Sequence, residues 1–332
     1  MINCAIVGAT GLVGSTFLKV LEEKNLPIDN YTLFASSRSK GKKTEFMGKE
    51  YVVEELTETS FDNNRFNYAL FSAGGKISEI FSPIAAKNGC IVIDNSSAFR
   101  MKEDVPLVVP EVNPEMIFKN NGIIANPNCS TIQAVVALKP LDDKYTIKRV
   151  VYSTYQAVSG AGMKGINDLE NTTRGLEPEK FPYKIYNNCL PHIDVFLENG
   201  YSKEEMKMIE ESRKILGLPN LSITATTVRV PVKNCHAESI NVEFENEFDI
   251  EELKQLLNKS EGIVVLDDIS RNIYPINTFV DTKDEVFVGR IRRDFSVKNG
   301  INMWVVADNV RKGAATNAVQ ILEKLIEKRL ET

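Results

Sequence analysis

The first third of the chain alternates short apolar runs with helix-length segments. INCAIVGA (2–9), YTLFAS (31–36), NYALFSA (67–73), CIVIDNS (90–96) and GIIANP (122–127) are continuous stretches with no polar face. Strands of that kind belong in a parallel sheet covered on both sides. Beyond about residue 148 the texture changes. KRVVYSTYQA, SITATTVRVPV, AESINVEFE, VFVGRIRRD and INMWVVADN are rich in β-branched residues, and Ile240, Val242 and Phe244 alternate with Asn241, Glu243 and Glu245. Alternation predicts a mainly antiparallel sheet with one solvated or interface face. Residues 203–216 and 313–330 read as helices, the latter with Ala318, Ile321, Leu322, Leu325 and Ile326 in one stripe. A chain of 332 residues with this change of texture is expected to form two domains, an α/β domain followed by a mainly antiparallel one.

After the first strand comes GATGLVG, with Gly8, Gly11 and Gly14 at a strand-to-helix turn. Glycines there allow a tight turn and close backbone approach, and a helix amino terminus attracts a pyrophosphate. The second strand runs into Ser36, Ser37, Arg38, Ser39 and Lys40, with no acid among them. An acid would suit the ribose hydroxyls of NAD, whereas cations suit a 2'-phosphate, so NADP is favoured.

The net charge of -5 comes from mixed signs with no basic stripe, which argues against nucleic acid. Met1 leads directly into the first strand, and no apolar run approaches about 18 residues, so a soluble cytoplasmic protein without membrane contact is expected. The cysteines at 4, 90, 129, 189 and 235 are scattered and form no CxxC pair, so free thiols are expected and no metal site.

One cysteine stands out. Cys129, in ANPNCST, follows an Asn-Pro-Asn turn and opens the apolar run TIQAVVAL. At a helix start the dipole and free N–H groups favour a thiolate, whereas a cysteine elsewhere is often only a small buried hydrophobe, the expectation for Cys4 and Cys90. The chain has two histidines. His236 follows a strand carrying Arg229 and suits a thiolate/imidazole pair; His192 reads as structural. Cys235 is a rival nucleophile without a following helix, its side chain turned away from that of His236 on a strand.

GATGLVG, FSAGG, DNSSAFR, NPNCST, YQAVSGAG, EEMK, RVPV followed by CH, and DNVRKGAATNAVQ occur in this order across nearly the whole chain. Together they resemble the aspartate-semialdehyde dehydrogenase family. The resemblance implies a Rossmann-like NADP-binding domain of residues 1–128 and 313–332. It implies a catalytic and dimerisation domain of residues 129–312, of the α+β type seen in the carboxy-terminal half of glyceraldehyde-3-phosphate dehydrogenase. It also implies reductive dephosphorylation of L-4-aspartyl phosphate to L-aspartate 4-semialdehyde, with inorganic phosphate released, in lysine, threonine, methionine and isoleucine biosynthesis. Cys129 matches the nucleophile, His236 an acid/base titrating near working pH, and Gln156 a residue orienting the intermediate. Arg229 matches the carboxylate ligand, Glu204 the ammonium ligand, and Arg100, Lys207 and Asn128 phosphate contacts. Cofactor contacts fall on Gly8, Thr10, Gly11, Leu12, Val13, Ser36, Arg38, Ser39, Ser72, Ala73, Gly74, Ser159, Gly160 and Asn309. A homodimer or homotetramer is implied. The alternatives are an N-acetyl-gamma-glutamyl-phosphate reductase, whose blocked amine offers Glu204 no cation, and an inactive dinucleotide-binding paralogue, which would have lost Cys129 or His236.

Overall fold

In the computed structural model, which describes residues 1–331, the alternation of the first third becomes a doubly wound sheet. In chain order its elements are β1 (Asn3–Val7), α1 (Leu12–Lys24), β2 (Asn30–Ala35), β3 (Lys43–Phe46), β4 (Lys49–Val52), β5 (Glu54–Glu55), β6 (Tyr68–Phe71), α2 (Gly75–Lys87), β7 (Ile91–Asp94) and β8 (Ile123–Ala125). β3 and β4 form an antiparallel hairpin apart from the main sheet. The six-stranded main sheet has the order β5-β2-β1-β6-β7-β8, and every pairing is parallel. Apolar side chains fill both of its faces: Ile6, Leu33 and Leu70 lie in one core cluster, Val7, Phe34 and Phe71 in another. Strand order reverses beside β1, so the glycine loop emerges where open α/β sheets bind ligands.

The second compact unit begins with α3 (Cys129–Tyr145) and β9 (Ile147–Gln156). α4 (Met163–Thr173), α5 (Lys203–Leu216), β10 (Ser222–Arg229), β11 (His236–Phe244), α6 (Ile250–Lys259), β12 (Ile263–Val265), α7 (Asn277–Val280), β13 (Val286–Asp294) and β14 (Gly300–Ala307) follow. Its six-stranded sheet has the order β10-β9-β11-β14-β13-β12. The expected antiparallel character holds at the centre, where β9, β11, β14 and β13 pair antiparallel. Both edges depart from it: β10 joins β9, and β12 joins β13, in parallel. Helical connections, α4 and α5 between β9 and β10 and α7 between β12 and β13, bring the chain back in the same direction, which periodicity within a strand does not encode. The α3 run Ile132–Leu138 is buried residue after residue, as suits a helix covered on all sides. Ser202 and Glu205 close a capping box at the start of α5, and Gly217 ends it with φ 71°.

After β14 the chain makes a π-helical turn over Arg311–Thr316 before α8 (Asn317–Glu331), so the regular helix starts later than residue 313. The stripe Ala318, Ile321, Leu322, Leu325 and Ile326 joins the core of the first unit. That unit comprises Met1–Pro127 with Ala314–Thr332, of which Thr332 lies outside the described residues; the second is Asn128–Gly313. Asn128 and Gly313 thus fall one residue to the other side of the expected boundaries, because Asn128 caps α3 and Gly313 packs on Cys129. Among the described residues no helix is long and apolar enough to cross a membrane.

Candidate active site

In the first unit the glycine loop is shaped as a dinucleotide cradle requires. Gly8 has φ 84°, and a β-carbon there would stand 2.4 Å from the Ser72 carbonyl oxygen; one on Gly14 would stand 2.0 Å from the Gly8 oxygen. Gly11 caps α1 without a side chain, and neither helix start, α1 with Leu12 and Val13 nor α2 after Gly74, has a side-chain cap or an acid in its first turn. Uncapped helix starts offer N–H groups and a positive dipole end to phosphate. Thr10 Oγ1 reaches Ser39 Oγ at 3.4 Å, which ties the loop to the turn Ser37–Ser39. Ser36 and Arg38 are exposed there, and Ser72 and Ala73 border Gly8. These residues fit an NADP-type dinucleotide. Arg100 also lies in this unit, buried, its Nε donating to the Asn126 carbonyl and its Nη2 to that of Asn95.

The second unit gathers the remaining candidates. Asn128 has β-region backbone, and its Oδ1 accepts from the N–H groups of Ser130 and Thr131. Its Nδ2 donates to Glu204 Oε1 at 2.9 Å and its backbone N–H to Glu211 Oε2 at 2.6 Å. This cap fixes where Cys129, half-buried as the first residue of α3, presents its thiol. It also corrects one expectation: the Ser130 and Thr131 N–H groups belong to Asn128, so the helix dipole and neighbouring charge, rather than those donors, act on the thiol. Both ends of the Asn128 amide are engaged, and the side chain is a brace.

Glu204 is the hub of the polar network. Besides Asn128 it accepts from Gln156 Nε2 at 3.0 Å and pairs with Lys207 at 3.0 Å. Burial works to raise its pKa, but the Lys207 charge and these hydrogen bonds outweigh that and bring it to about 2. Lys207 also pairs with Asp194 at 2.8 Å, and although burial opposes it, the two carboxylates raise its pKa. Thr154 Oγ1 donates to Gln156 Oε1 at 3.0 Å, which orients the amide with its nitrogen toward Glu204.

Ala157 sets two further side chains. Its carbonyl accepts from Arg229 Nη1 at 2.6 Å, and its N–H donates to His236 Nδ1 at 3.0 Å. With Nδ1 an acceptor, the neutral ring carries its proton on Nε2. A β-carbon on Gly160 would lie 2.9 Å from Arg229 Nη1 and 3.1 Å from His236 Nε2, so both groups border the space above this exposed glycine. Arg229 Nε and His236 Nε2 are buried and have no hydrogen-bond partner among the described residues. Burial, then the Arg229 charge, lowers the His236 pKa to about 3. The expectation of an imidazole titrating near working pH is thereby corrected: His236 is neutral across that range and presents an N–H. Burial also lowers the Arg229 pKa, against the opposing influence of Glu204 and Cys129, which places the thiol within electrostatic reach of the guanidinium.

Ser159 and Asn309 stand behind this wall. Asn309 Nδ2 donates to Ser159 Oγ at 3.0 Å, and its Oδ1 accepts from the Cys235 N–H at 2.9 Å. Cys235 itself precedes β11 with φ 69°, so the strand argument for its direction does not apply. Its side chain packs among Ala237, Val280, Phe287 and Val306, and burial pushes its thiol pKa up, which removes it as a rival nucleophile. Cys4 and Cys90 are buried as expected. His192 stacks on Phe196 with ring centroids 4.2 Å apart.

Two residues escaped the sequence reading. Glu211, which holds Asn128, lies seven positions after Glu204 on the buried face of α5, a helical spacing that could have flagged it. Glu238, two residues after His236 on β11, is fully buried, and neither carboxyl oxygen has a partner among the described residues. Burial holds its pKa well above the ordinary 4.5, so the group is a neutral acid. A raised folded-state pKa gives stability that is present below about 4.5 and lost as pH rises, because the unfolded chain then ionises freely. Glu238→Gln, which cannot ionise, is therefore expected to raise the melting temperature at pH 8 and to gain little at pH 4.5. Paired thermal unfolding curves check this; an equal gain at both values, or a loss at pH 8, contradicts it.

Residues 3–120 match the family described as "Semialdehyde dehydrogenase, NAD binding domain", and residues 138–312 match "Semialdehyde dehydrogenase, dimerisation domain". The chain is 57% identical over 98% of its length to the aspartate-semialdehyde dehydrogenase of Aquifex aeolicus (strain VF5), of which 98% is covered. It superposes with TM-score 0.94 and 48% identity on aspartate semialdehyde dehydrogenase II from Vibrio cholerae complexed with ASA, covering 98% of each chain. The Candida albicans enzyme with NADP is similar at TM-score 0.78 and 28% identity, again covering 98% of each chain. By these matches, this chain belongs to the aspartate-semialdehyde dehydrogenase family.

Proposed function

We propose that this chain interconverts L-4-aspartyl phosphate and L-aspartate 4-semialdehyde with NADP and inorganic phosphate, through a thioester on Cys129. The observation that carries the reading is a set of buried groups around Gly160 and Cys129 whose hydrogen-bonding capacity is unspent: Arg229 Nε and His236 Nε2. Buried donors are normally satisfied, so two together imply a ligand that accepts from them.

In the reductive direction the Cys129 thiolate attacks the acyl carbon, the acyl–oxygen bond breaks, and phosphate leaves with its electron pair. His236 donates from Nε2 to the carbonyl oxygen as negative charge gathers on it, the role of a preorganised oxyanion donor. Arg229 holds the α-carboxylate with its planar fork, and Glu204, ionised well below neutrality, faces the α-ammonium. Gln156 orients the acyl group, while Lys207 and Arg100 neutralise phosphate. The glycine loop, the exposed Arg38 and the residues grouped with them would hold NADPH, which when bound would supply hydride to the thioester carbon. The tetrahedral alkoxide that hydride addition leaves on Cys129, held by the His236 N–H, then collapses and expels the thiolate, releasing the aldehyde. Lysine, threonine, methionine and isoleucine biosynthesis is the setting. Tyr155 and Trp304, ring centroids 5.3 Å apart, give the second sheet an aromatic patch suited to pairing with a second copy, in a cytoplasmic homodimer or a homotetramer built from it.

The direct test is NADP reduction by L-aspartate 4-semialdehyde. Turnover is expected with phosphate, to cease without it, and to be faster with NADP than with NAD. A folded chain silent with this aldehyde but active with N-acetylglutamate semialdehyde contradicts the substrate assignment.

A further inference from the structure

Gly313 sits in the π-helical turn Arg311–Thr316, and an ideal β-carbon built on it would stand 2.9 Å from Cys129 Cβ, 3.2 Å from Cys129 Cα and 3.3 Å from the Cys129 carbonyl oxygen. The first distance is shorter than real β-carbon contacts allow. Gly313 is not among the glycines with positive φ, so its backbone would accept alanine. What the position excludes is volume, and the volume lies against the nucleophile.

Neither wall of this contact yields easily. On the Cys129 side, Asn128 is held at three points, by Glu204, by Glu211 and by the helix N–H groups it caps. On the Gly313 side, its N–H donates to the Asp308 carbonyl at 3.0 Å. The Asp308 carboxylate accepts from the N–H groups of Val310, Arg311 and Thr282, and Arg311 forms a fork to Asp284 with bonds of 2.9 and 2.8 Å. A methyl group placed between two braced segments is accommodated by moving Cys129 Cβ, and Sγ moves with it. π-helical turns recur at functional sites, where they shift a short segment out of the regular helical path.

We propose that Gly313 is a positioning residue for the reaction: its missing side chain seats Cys129 Cβ and so sets where the thiolate meets the acyl carbon. The role rests on the reading of Cys129 as nucleophile, while the packing contact itself does not. Misplacing a reacting atom by about 1 Å costs on the order of 100-fold in rate, so Gly313→Ala is expected to lose about 10- to 100-fold in kcat with little change in KM.

The experiment compares the full-length native chain, Gly313→Ala and Gly289→Ala. The last is a more crowded control away from the nucleophile, where a β-carbon would stand 2.1 Å from the Leu266 oxygen and 2.5 Å from Pro275 Cδ. Three quantities are read: kcat and KM with aspartate semialdehyde, melting temperature, and the rate of Cys129 alkylation by iodoacetamide, followed on its peptide by mass spectrometry. Under the proposal Gly313→Ala loses kcat and shows an altered Cys129 alkylation rate, while Gly289→Ala loses only thermal stability. Native kcat and native alkylation in Gly313→Ala overturn it, as does a matching loss of kcat in Gly289→Ala. If Gly313→Ala does not fold, the chain carrying Gly313→Ala with Cys129→Gly, which removes the crowded β-carbon, should regain folding; failure to do so also overturns it. A native chain inactive toward the aldehyde defeats the functional reading instead, and alkylation still decides the contact.

Discussion

Cys129→Ala is expected to fold like the native chain and to lose at least about 10⁴-fold in kcat, the scale seen when a nucleophile that forms the covalent intermediate is removed. Folding should survive because alanine keeps the β-carbon that packs on Gly313, and the thiol itself is only half-buried. The loss should fall on kcat and kcat/KM together. Glu204, Arg229 and Gln156 remain in place to bind substrate, and what disappears is the bond made in the chemical step. Cys235→Ala, with its thiol in the apolar cluster of Val280 and Phe287, should retain turnover. Steady-state kinetics on the two variants, with circular dichroism to confirm folding, separate these outcomes.

His236→Ala is the second large effect, a loss of about 10²- to 10³-fold in kcat, the range measured when one oxyanion donor is deleted. The pH dependence distinguishes this role from a proton shuttle. With its pKa lowered to about 3 by burial and then by the Arg229 charge, the ring stays neutral from pH 5 to 9. The kcat/KM profile of the native chain should therefore carry no limb assignable to His236 near 6.5. The variant's profile should be lower throughout and unchanged in shape. Because a lowered folded-state pKa withholds stability as pH falls below 6.5, the native chain should also lose more stability than the variant on acidification, in proportion to the proton its unfolded state takes up. A limb near 6.5 that vanishes in His236→Ala would instead assign the residue a proton-transfer role.

Much of this molecule is legible in its pattern. The parallel strands are unbroken apolar runs because both faces are covered, helix 203–216 falls where the pattern places it, and the run TIQAVVAL marks the helix that Cys129 opens. The glycine loop is legible because a positive φ at Gly8 and the close approach of Ser72 leave no room for another residue. What could not be read arises from contacts between segments distant in sequence. The parallel edges of the second sheet depend on crossovers through α5 and α7, not on strand periodicity. The neutral state of His236 depends on burial and on Arg229, and the tautomer depends on the N–H of Ala157, 79 residues away. Cys235 looked like a strand residue because the turn that gives it φ 69° is anchored by Asn309 and Asn277, from other parts of the chain. The saturation of Asn128 by Glu204 and Glu211 likewise becomes visible only when α5 is folded beside α3.

Cys129 is proposed to carry the acyl group between the two half-reactions. Mixing the chain with L-aspartate 4-semialdehyde and NADP in the absence of phosphate isolates that step, since the hemithioacetal can be oxidised but the resulting thioester lacks the nucleophile that releases it. A burst of one NADPH per site followed by arrest is expected, with a β-aspartyl adduct on the peptide containing Cys129 and resumption of turnover when phosphate is added. An adduct on Cys235, or steady turnover without phosphate and without any acylated cysteine, would contradict it.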